Sequence, residues 1–272
     1  MTDIKNVTGT AFVVAEFRAG ENAEPKPLYV DPVVPIFLDD STRQAAVAIS
    51  SGFPPGERNV RIRTRYLDDQ LDQQIAGGCR QIVILGAGLD TRAVRKASPG
   101  AVYFEIDDAS TLSFKKMRID QAGYNAPVVF IPGNYVEQGV LPLLEANGFR
   151  RDQSAFFIWE GNTMYLTREV AIEVLAELRE GLRSFSIAFD YMSEAVIAFA
   201  TGEPDITTFV ERFAAMGAPW HFGINDLPAF ALEAGLTVID NVTTAELHRR
   251  YWPGRALGTL MFDNYSLCTL KH

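Results

Sequence analysis

Residues 81–92, Gln-Ile-Val-Ile-Leu-Gly-Ala-Gly-Leu-Asp-Thr-Arg, end an apolar run in a glycine turn with a carboxylate just beyond it. Glycines let a ligand approach the backbone closely, and such a strand-to-helix turn holds pyrophosphate when the helix N-terminus is free for an anion. Here Asp90 occupies that end, and Thr91, followed by Arg92, stands where a dinucleotide fingerprint wants its third glycine. The better-matched ligand at Gly86, Ala87, Gly88 and Asp90 has a nucleoside, no phosphate and a cationic centre, which describes S-adenosylmethionine.

Other carboxylates extend the pattern. Glu105 and Asp107 lie 19 and 21 residues past Gly86, the spacing at which an acidic strand end accepts hydrogen bonds from ribose hydroxyls. The competing reading is that one of them merely caps the following helix. Glu160 emerges from the apolar run Phe156-Phe-Ile-Trp159. A buried carboxylate needs a cation, either a ligand ammonium or sulfonium or an arginine of an N-terminal helix. Arg63 and Arg65 could grip a ligand carboxylate, although arginines on a charged helix mostly face solvent. His221, beside Trp220, is a candidate general base. No Gly-x-Ser-x-Gly elbow supports a serine triad.

These groups need a scaffold, and apolar runs at Gln81–Leu85, Val102–Asp107, Val128–Pro132, Ala155–Glu160, Phe185–Phe189, Leu236–Asp240 and Leu260–Leu270 predict seven strands. Helical stretches fall between most of them, at Arg92–Ala97, Ser110–Ala122, Val136–Ala146, Thr167–Leu182 and Asp226–Ala234. Alternation of this kind predicts an α/β fold, a mostly parallel seven-stranded sheet with helices on both faces. Residues 1–76 read as a helical N-terminal cap, with breaks at Glu24–Pro27 and Gly52–Gly56 and a charged helix over 57–76. Residues 77–190 then form the ligand-binding core, 191–225 a lid inserted after a strand, and 226–272 the last helix and strands, all within one domain.

Composition narrows the function classes. The 272 residues carry a net charge of −9, which opposes nucleic-acid binding. Cys79 and Cys268 lack metal-ligand spacing, so neither a disulfide framework nor a metal site is expected. The start, Met-Thr-Asp-Ile-Lys, has no secretory pattern, and no apolar run approaches a membrane span of about 20 residues, so the expectation is a soluble cytoplasmic protein.

Four ordered segments together resemble one family: Arg63-Thr-Arg-Tyr-Leu-Asp-Asp69, Ile84-Leu-Gly-Ala-Gly-Leu-Asp-Thr-Arg92, Tyr103-Phe-Glu-Ile-Asp107 and Trp159-Glu-Gly-Asn-Thr-Met-Tyr-Leu-Thr167. The chain is similar to the leucine carboxyl methyltransferase-like class I, Rossmann-like S-adenosylmethionine-dependent methyltransferases, in their bacterial O-methyltransferase branch. The resemblance implies that Arg63 meets the methionyl carboxylate, Gly86 and Gly88 line the cofactor turn, Asp107 with Glu105 nearby holds the ribose, and Glu160 meets the amino group. It also implies that Tyr165 faces the transfer site. At Gly133-Asn134-Tyr135 the family's usual adenine-recognising Asp is replaced by Asn134, whose side-chain oxygen can still accept.

The implied acceptor is a small molecule or peptide, with a carboxylate oxygen favoured over a hydroxyl. Arg249, Arg250 or Arg255 would clamp the carboxylate, or His221 would serve a hydroxyl. Phe209, Phe213, Trp220 and Phe222 suggest an apolar acceptor wall or lid core. A nicotinamide-dependent oxidoreductase and a non-catalytic cofactor-binding module remain the alternatives.

Overall fold

A computed structural model of the chain describes residues 9–50, 54–215 and 217–272; the start Met-Thr-Asp-Ile-Lys and the first residues of the Gly52–Gly56 turn lie outside the described residues. Seven strands form one sheet: β1 (Gln81–Leu85), β2 (Val102–Asp107), β3 (Val128–Pro132), β4 (Ala155–Trp159), β5 (Phe185–Met192), β6 (Thr237–Thr243) and β7 (Tyr265–Lys271). Their order is β3-β2-β1-β4-β5-β7-β6, with β1 to β5 parallel and β7 antiparallel to both β5 and β6. Strand order reverses between β1 and β4, and the chain leaving β1, β2 and β4 at that crevice carries Gly86–Asp90, Asp107 and Glu160–Asn162. Open α/β sheets bind ligands at such a switch point.

The helices are α1 (Gly9–Gly20), α2 (Asp40–Ser50), α3 (Pro54–Ala76), α4 (Arg92–Arg95), α5 (Ala109–Gln121), α6 (Tyr135–Gln138), α7 (Val140–Glu145), α8 (Arg168–Gly181), α9 (Glu194–Ile197), α10 (Pro204–Ala215), α11 (Leu227–Glu233) and α12 (Thr244–Tyr251). Alternate side chains of the central strands enter two different cores, as a sheet covered on both faces requires. Val83, Leu85 and Phe157 pack with residues of α7, α8 and α11, whereas Ile82, Ile84 and Phe156 pack with Ile62, Tyr66, Leu67 and Leu71 of α3. The charged helix is therefore one wall of the core, not only a cap. Among the described residues no helix is long and apolar enough to cross a membrane.

Four of the departures from the sequence reading have a local reason. The expected helix Val136–Ala146 breaks into α6 and α7 at Gly139, which takes φ +81°, while Glu177 accepts hydrogen bonds from the freed amides of Val140 and Leu141 at 2.9 and 2.8 Å. Strand β5 continues past Phe189 to Met192, because Asp190 inside it finds internal partners. The expected strand Leu260–Leu270 begins only at Tyr265, after a 3-10 turn at Leu260–Asp263 started by the Thr259 side chain. Between β6 and β7 stands the unexpected α12, whose Thr243 and Glu246 form a capping box.

His248 of α12 is fully buried, its ring stacked on Phe262 with centroids 5.5 Å apart, and neither ring nitrogen has a partner among the described residues. Burial, together with the nearby Arg58, Arg255 and Arg249 charges, pushes its pKa below the ordinary histidine value. The unfolded chain therefore takes up a proton at higher pH than the folded one, and stability falls as pH drops through the unfolded value. Thermal unfolding followed from pH 7.5 to 5.5 should show a smaller loss in His248→Phe than in the unmodified protein; parallel losses would assign the acid sensitivity to other groups.

Candidate active site

Gly86 and Gly88 take φ +63° and +47°, a left-handed region that other residues adopt at a cost. A Cβ on Gly86 would also fall 2.3 Å from Asn162 Oδ1, so glycine is required there for space as well. Asn162 Nδ2 donates to the Glu160 and Leu85 carbonyls at 2.7 and 3.2 Å, fastening the end of β4 to the turn after β1. From β2, Asp107 accepts from the Gly88 amide at 2.6 Å and the Asp108 amide at 2.7 Å. Burial raises its pKa above the ordinary aspartate value, although the Gly88 bond opposes this. The capping role weighed for Glu105 or Asp107 falls instead to Asp108, which accepts from the Ser110 and Thr111 amides of α5.

Asp90 accepts from the Arg92 amide at 2.6 Å and pairs with the Arg92 guanidinium, so the N-terminus of α4 is already occupied by a carboxylate. Burial would raise its pKa, but the Arg92, Arg18 and Lys115 charges outweigh burial and hold it well below the usual range.

Glu160 is clamped between two arginines, with Oε1 2.9 Å from Arg63 Nε and Oε2 2.7 Å from Arg92 Nη1. The internal-pair reading is thus realised, with a second arginine added. Burial alone would raise the Glu160 pKa, and Arg92 and Arg63 together more than offset it. Arg63, buried, reaches further to Asp190 Oδ2 at 3.2 Å and Tyr265 OH at 2.8 Å. Asp190 also accepts from Tyr265 and, at 2.6 Å, from the Gly161 amide. Arg92 donates to Asp68 of α3 at 2.8 Å.

The N-terminal segment locks onto this cluster. Arg18 of α1 donates to the Leu89 carbonyl at 3.0 Å and Asp31 at 3.2 Å, while Thr91 donates to Asp31 at 2.6 Å. Arg95 closes the circuit to Asp68.

A cavity of about 670 Å³ opens over the crevice, within the range of about 300–1,000 Å³ of small-molecule sites. Arg63, Gly86, Ala87, Gly88, Asp90, Asp107, Asn134, Tyr135, Glu160, Tyr165 and His221 all line it. Asn134 Oδ1 accepts from the Val136 amide as the cap of α6, and Tyr135 OH accepts from Trp159 Nε1 at 3.0 Å. Burial raises the Tyr165 phenol above its ordinary pKa, so at neutral pH it is a hydrogen-bond donor. The backbone amide of the exposed His221 donates to the Met164 carbonyl at 2.7 Å, tying the 191–225 segment to the turn that bears Tyr165.

Glu105 is not brought to the cavity. It is fully buried beneath the sheet's end, paired with Lys115, and burial pushes its carboxyl up to about 7. Arg249, Arg250 and Arg255 are exposed outside the cavity, so none is placed to clamp an acceptor carboxylate. Phe209, Phe213 and Trp220 line the cavity; Phe222 instead packs on Phe230 in the core. Arg18, Asn59, Asp108, Asn162 and Tyr265 line it without having been expected, and Asp190 supports it from below. The helical spacing of Asn59 and Arg63, one turn apart on α3, was the available signal for Asn59.

The leucine carboxyl methyltransferase family model matches residues 11–179. A provisionally named S-adenosyl-L-methionine-dependent methyltransferase of Streptomyces coelicolor is 30% identical over 231 residues, 78% of this chain and 74% of that protein. Another, from Frankia alni, is 34% identical over 182 residues, and a third, from Parafrankia, is 31% identical over 185. The matched regions cover 63% and 62% of this chain, and the chain spans only 63% and 57% of the lengths of those two relatives.

Among solved structures, a DUF574 family protein from Streptomyces avermitilis superposes with a TM-score of 0.68 at 15% identity, covering 98% of both chains. Magnesium protoporphyrin IX methyltransferase from Synechocystis, solved with bound S-adenosylhomocysteine, superposes with a TM-score of 0.51 at 11% identity, covering 86% of this chain and all of that one. At these identities the likeness is one of fold, the α/β class I methyltransferase fold. With more than half its length matched by the family model, the chain belongs to the leucine carboxyl methyltransferase family.

Proposed function

We propose that the protein is an S-adenosylmethionine-dependent methyltransferase that methylates an oxygen of a small molecule or peptide. The observation that carries this reading is the charge of the cavity: Asp90, Asp107, Asp108 and Glu160 line it against only Arg18 and Arg63 among the described residues. A wall with excess carboxylate suits a ligand of net positive charge, and the occupied N-terminus of α4 offers no place for a pyrophosphate. The residues present therefore fit S-adenosylmethionine, with its sulfonium and ammonium against one carboxylate, better than a nicotinamide dinucleotide.

Bound there, that cofactor would supply an electrophilic methyl group and depart as a neutral thioether. In this reading Asp107 accepts from the ribose hydroxyls, and Gly86 to Gly88 let the nucleoside approach the backbone. Asn134 and Tyr135 border the adenine. Arg63, already anchored by Glu160, Asp190 and Tyr265, holds the amino-acid carboxylate, and the Glu160 and Asp90 carboxylates favour the ammonium. Alignment does most of the rest, since holding reactants at attack distance supplies about 7–11 kcal/mol of barrier reduction.

Isothermal titration with S-adenosylhomocysteine should show saturable binding, about micromolar or tighter, and none with NAD. Binding of NAD without S-adenosylhomocysteine would move the protein to redox chemistry.

A further inference from the structure

We infer that the methyl acceptor is an uncharged, largely apolar hydroxyl compound held by Asn59, rather than a carboxylate. This inference rests on the methyltransferase reading and names the substrate class of the same cavity. Asn59 lies on α3 one turn before Arg63 and lines the cavity. It is 4% exposed, and its Oδ1 is buried with no partner among the described residues. An unanswered buried amide oxygen is costly, and a ligand that donates to it recovers that cost. A hydroxyl both donates and accepts, so it can answer either end of the amide; an ionised carboxylate only accepts.

The surroundings point the same way. Met164, Met192, Phe209, Phe213, Trp220 and Met261 belong to the apolar part of the lining. The two arginines that reach the cavity have other roles in this reading: Arg63, beside Glu160 and Asp190, holds the cofactor carboxylate, and Arg18 pairs with Asp31 and the Leu89 carbonyl. Asp107 and Asp108 also line the cavity without an ion pair among the described residues, so an anionic acceptor meets repulsion there. On transfer, the acceptor oxygen forms its bond to the methyl carbon as the carbon–sulfur bond breaks. The sulfur keeps the electron pair, and the hydroxyl proton passes to the His221 imidazole or to water.

The test uses matched probes on the full chain saturated with S-adenosylhomocysteine at pH 7.5: 1-naphthol and 4-phenylphenol against 1-naphthoic acid and 4-phenylbenzoic acid, with binding read by calorimetry. The hydroxyl probes should bind at least about tenfold tighter than their acids, and Asn59→Leu should cut that preference to about twofold while S-adenosylhomocysteine affinity changes little. Equal or tighter binding of the acids, or binding of neither class, overturns the inference even if Asn59→Leu fails to fold. Absence of S-adenosylhomocysteine binding in the unmodified protein is a separate result that removes the methyltransferase reading beneath it.

Discussion

Replacing Arg92 with leucine is expected to lower the unfolding free energy by about 3–5 kcal/mol, the cost of removing one partner from a buried ion cluster. Arg92 is 1% exposed and pairs at once with Asp68, Asp90 and Glu160, three carboxylates drawn from α3, the turn after β1 and the end of β4. Without it, Asp90 loses its chief counter-charge, and Glu160 and Asp68 fall back on Arg63 and Arg95. The loss should depend on pH with a definite sign. Asp90 and Glu160 have folded pKa values below their ordinary ones, so their ionised forms stabilise the unmodified protein above the unfolded carboxylate pKa. That contribution disappears as pH falls through the folded values, and in the variant the stranded acids protonate more readily.

Chemical denaturation at pH 7.5 and pH 4.5 should therefore show a wide gap between Arg92→Leu and the unmodified protein at neutral pH and a narrower one in acid. Arg150→Leu, which breaks the exposed pair with Asp152, should leave the midpoint nearly unmoved. A difference under about 1 kcal/mol at pH 7.5 for Arg92→Leu would mean that apolar packing alone fixes the crevice.

The legibility of this chain in sequence follows from what periodicity and spacing encode. The strands were readable because β1, β4 and β5 are buried at every residue and appear as continuous apolar runs. The turn at Gly86 was readable because a sharp change from branched residues to glycine has few other causes. Depth was not readable: Glu105 and Asp107 share a strand face two residues apart, yet one is sealed against Lys115 and the other meets the cavity. Spacing along a strand fixes the face and leaves the distance from its end to tertiary packing.

Long-range pairing was equally silent. Asp190 falls outside the expected strand Phe185–Phe189, since an acid after an apolar run carries no mark of the Arg63, 127 residues away, that receives it. The same holds for Arg18 and Asp31, whose tie to Leu89 and Thr91 depends on how α1 folds back over the turn. The α12 helix is different, because its Thr243-x-x-Glu246 capping box stood in the sequence but was overshadowed by the flanking strand pattern.

That difference between Glu105 and Asp107 supplies the second large expectation, in cofactor affinity. Asp107→Ala should weaken S-adenosylhomocysteine binding by about 3 kcal/mol, roughly 100-fold, because hydrogen bonds to a charged acceptor contribute about 1.5–3 kcal/mol and the ribose offers two hydroxyls to one carboxylate. Part of the loss comes through the protein itself, since Asp107 also accepts from the Gly88 amide and so holds the turn in shape. Asp107→Asn, which keeps one carbonyl oxygen, should lose less, about tenfold. Glu105→Gln, although Glu105 lies as near as Asp107 to the expected ribose spacing, should change affinity by no more than about threefold while altering stability through Lys115. Burial raises the Asp107 pKa, and protonation removes its power to accept two donors, so affinity in the unmodified protein should decline in mildly acid buffer before ordinary aspartates titrate. If Glu105→Gln abolished binding while Asp107→Ala spared it, the ribose would have to be reassigned to a site beneath the cavity floor, a position that the sealed Glu105–Lys115 pair leaves no room to reach.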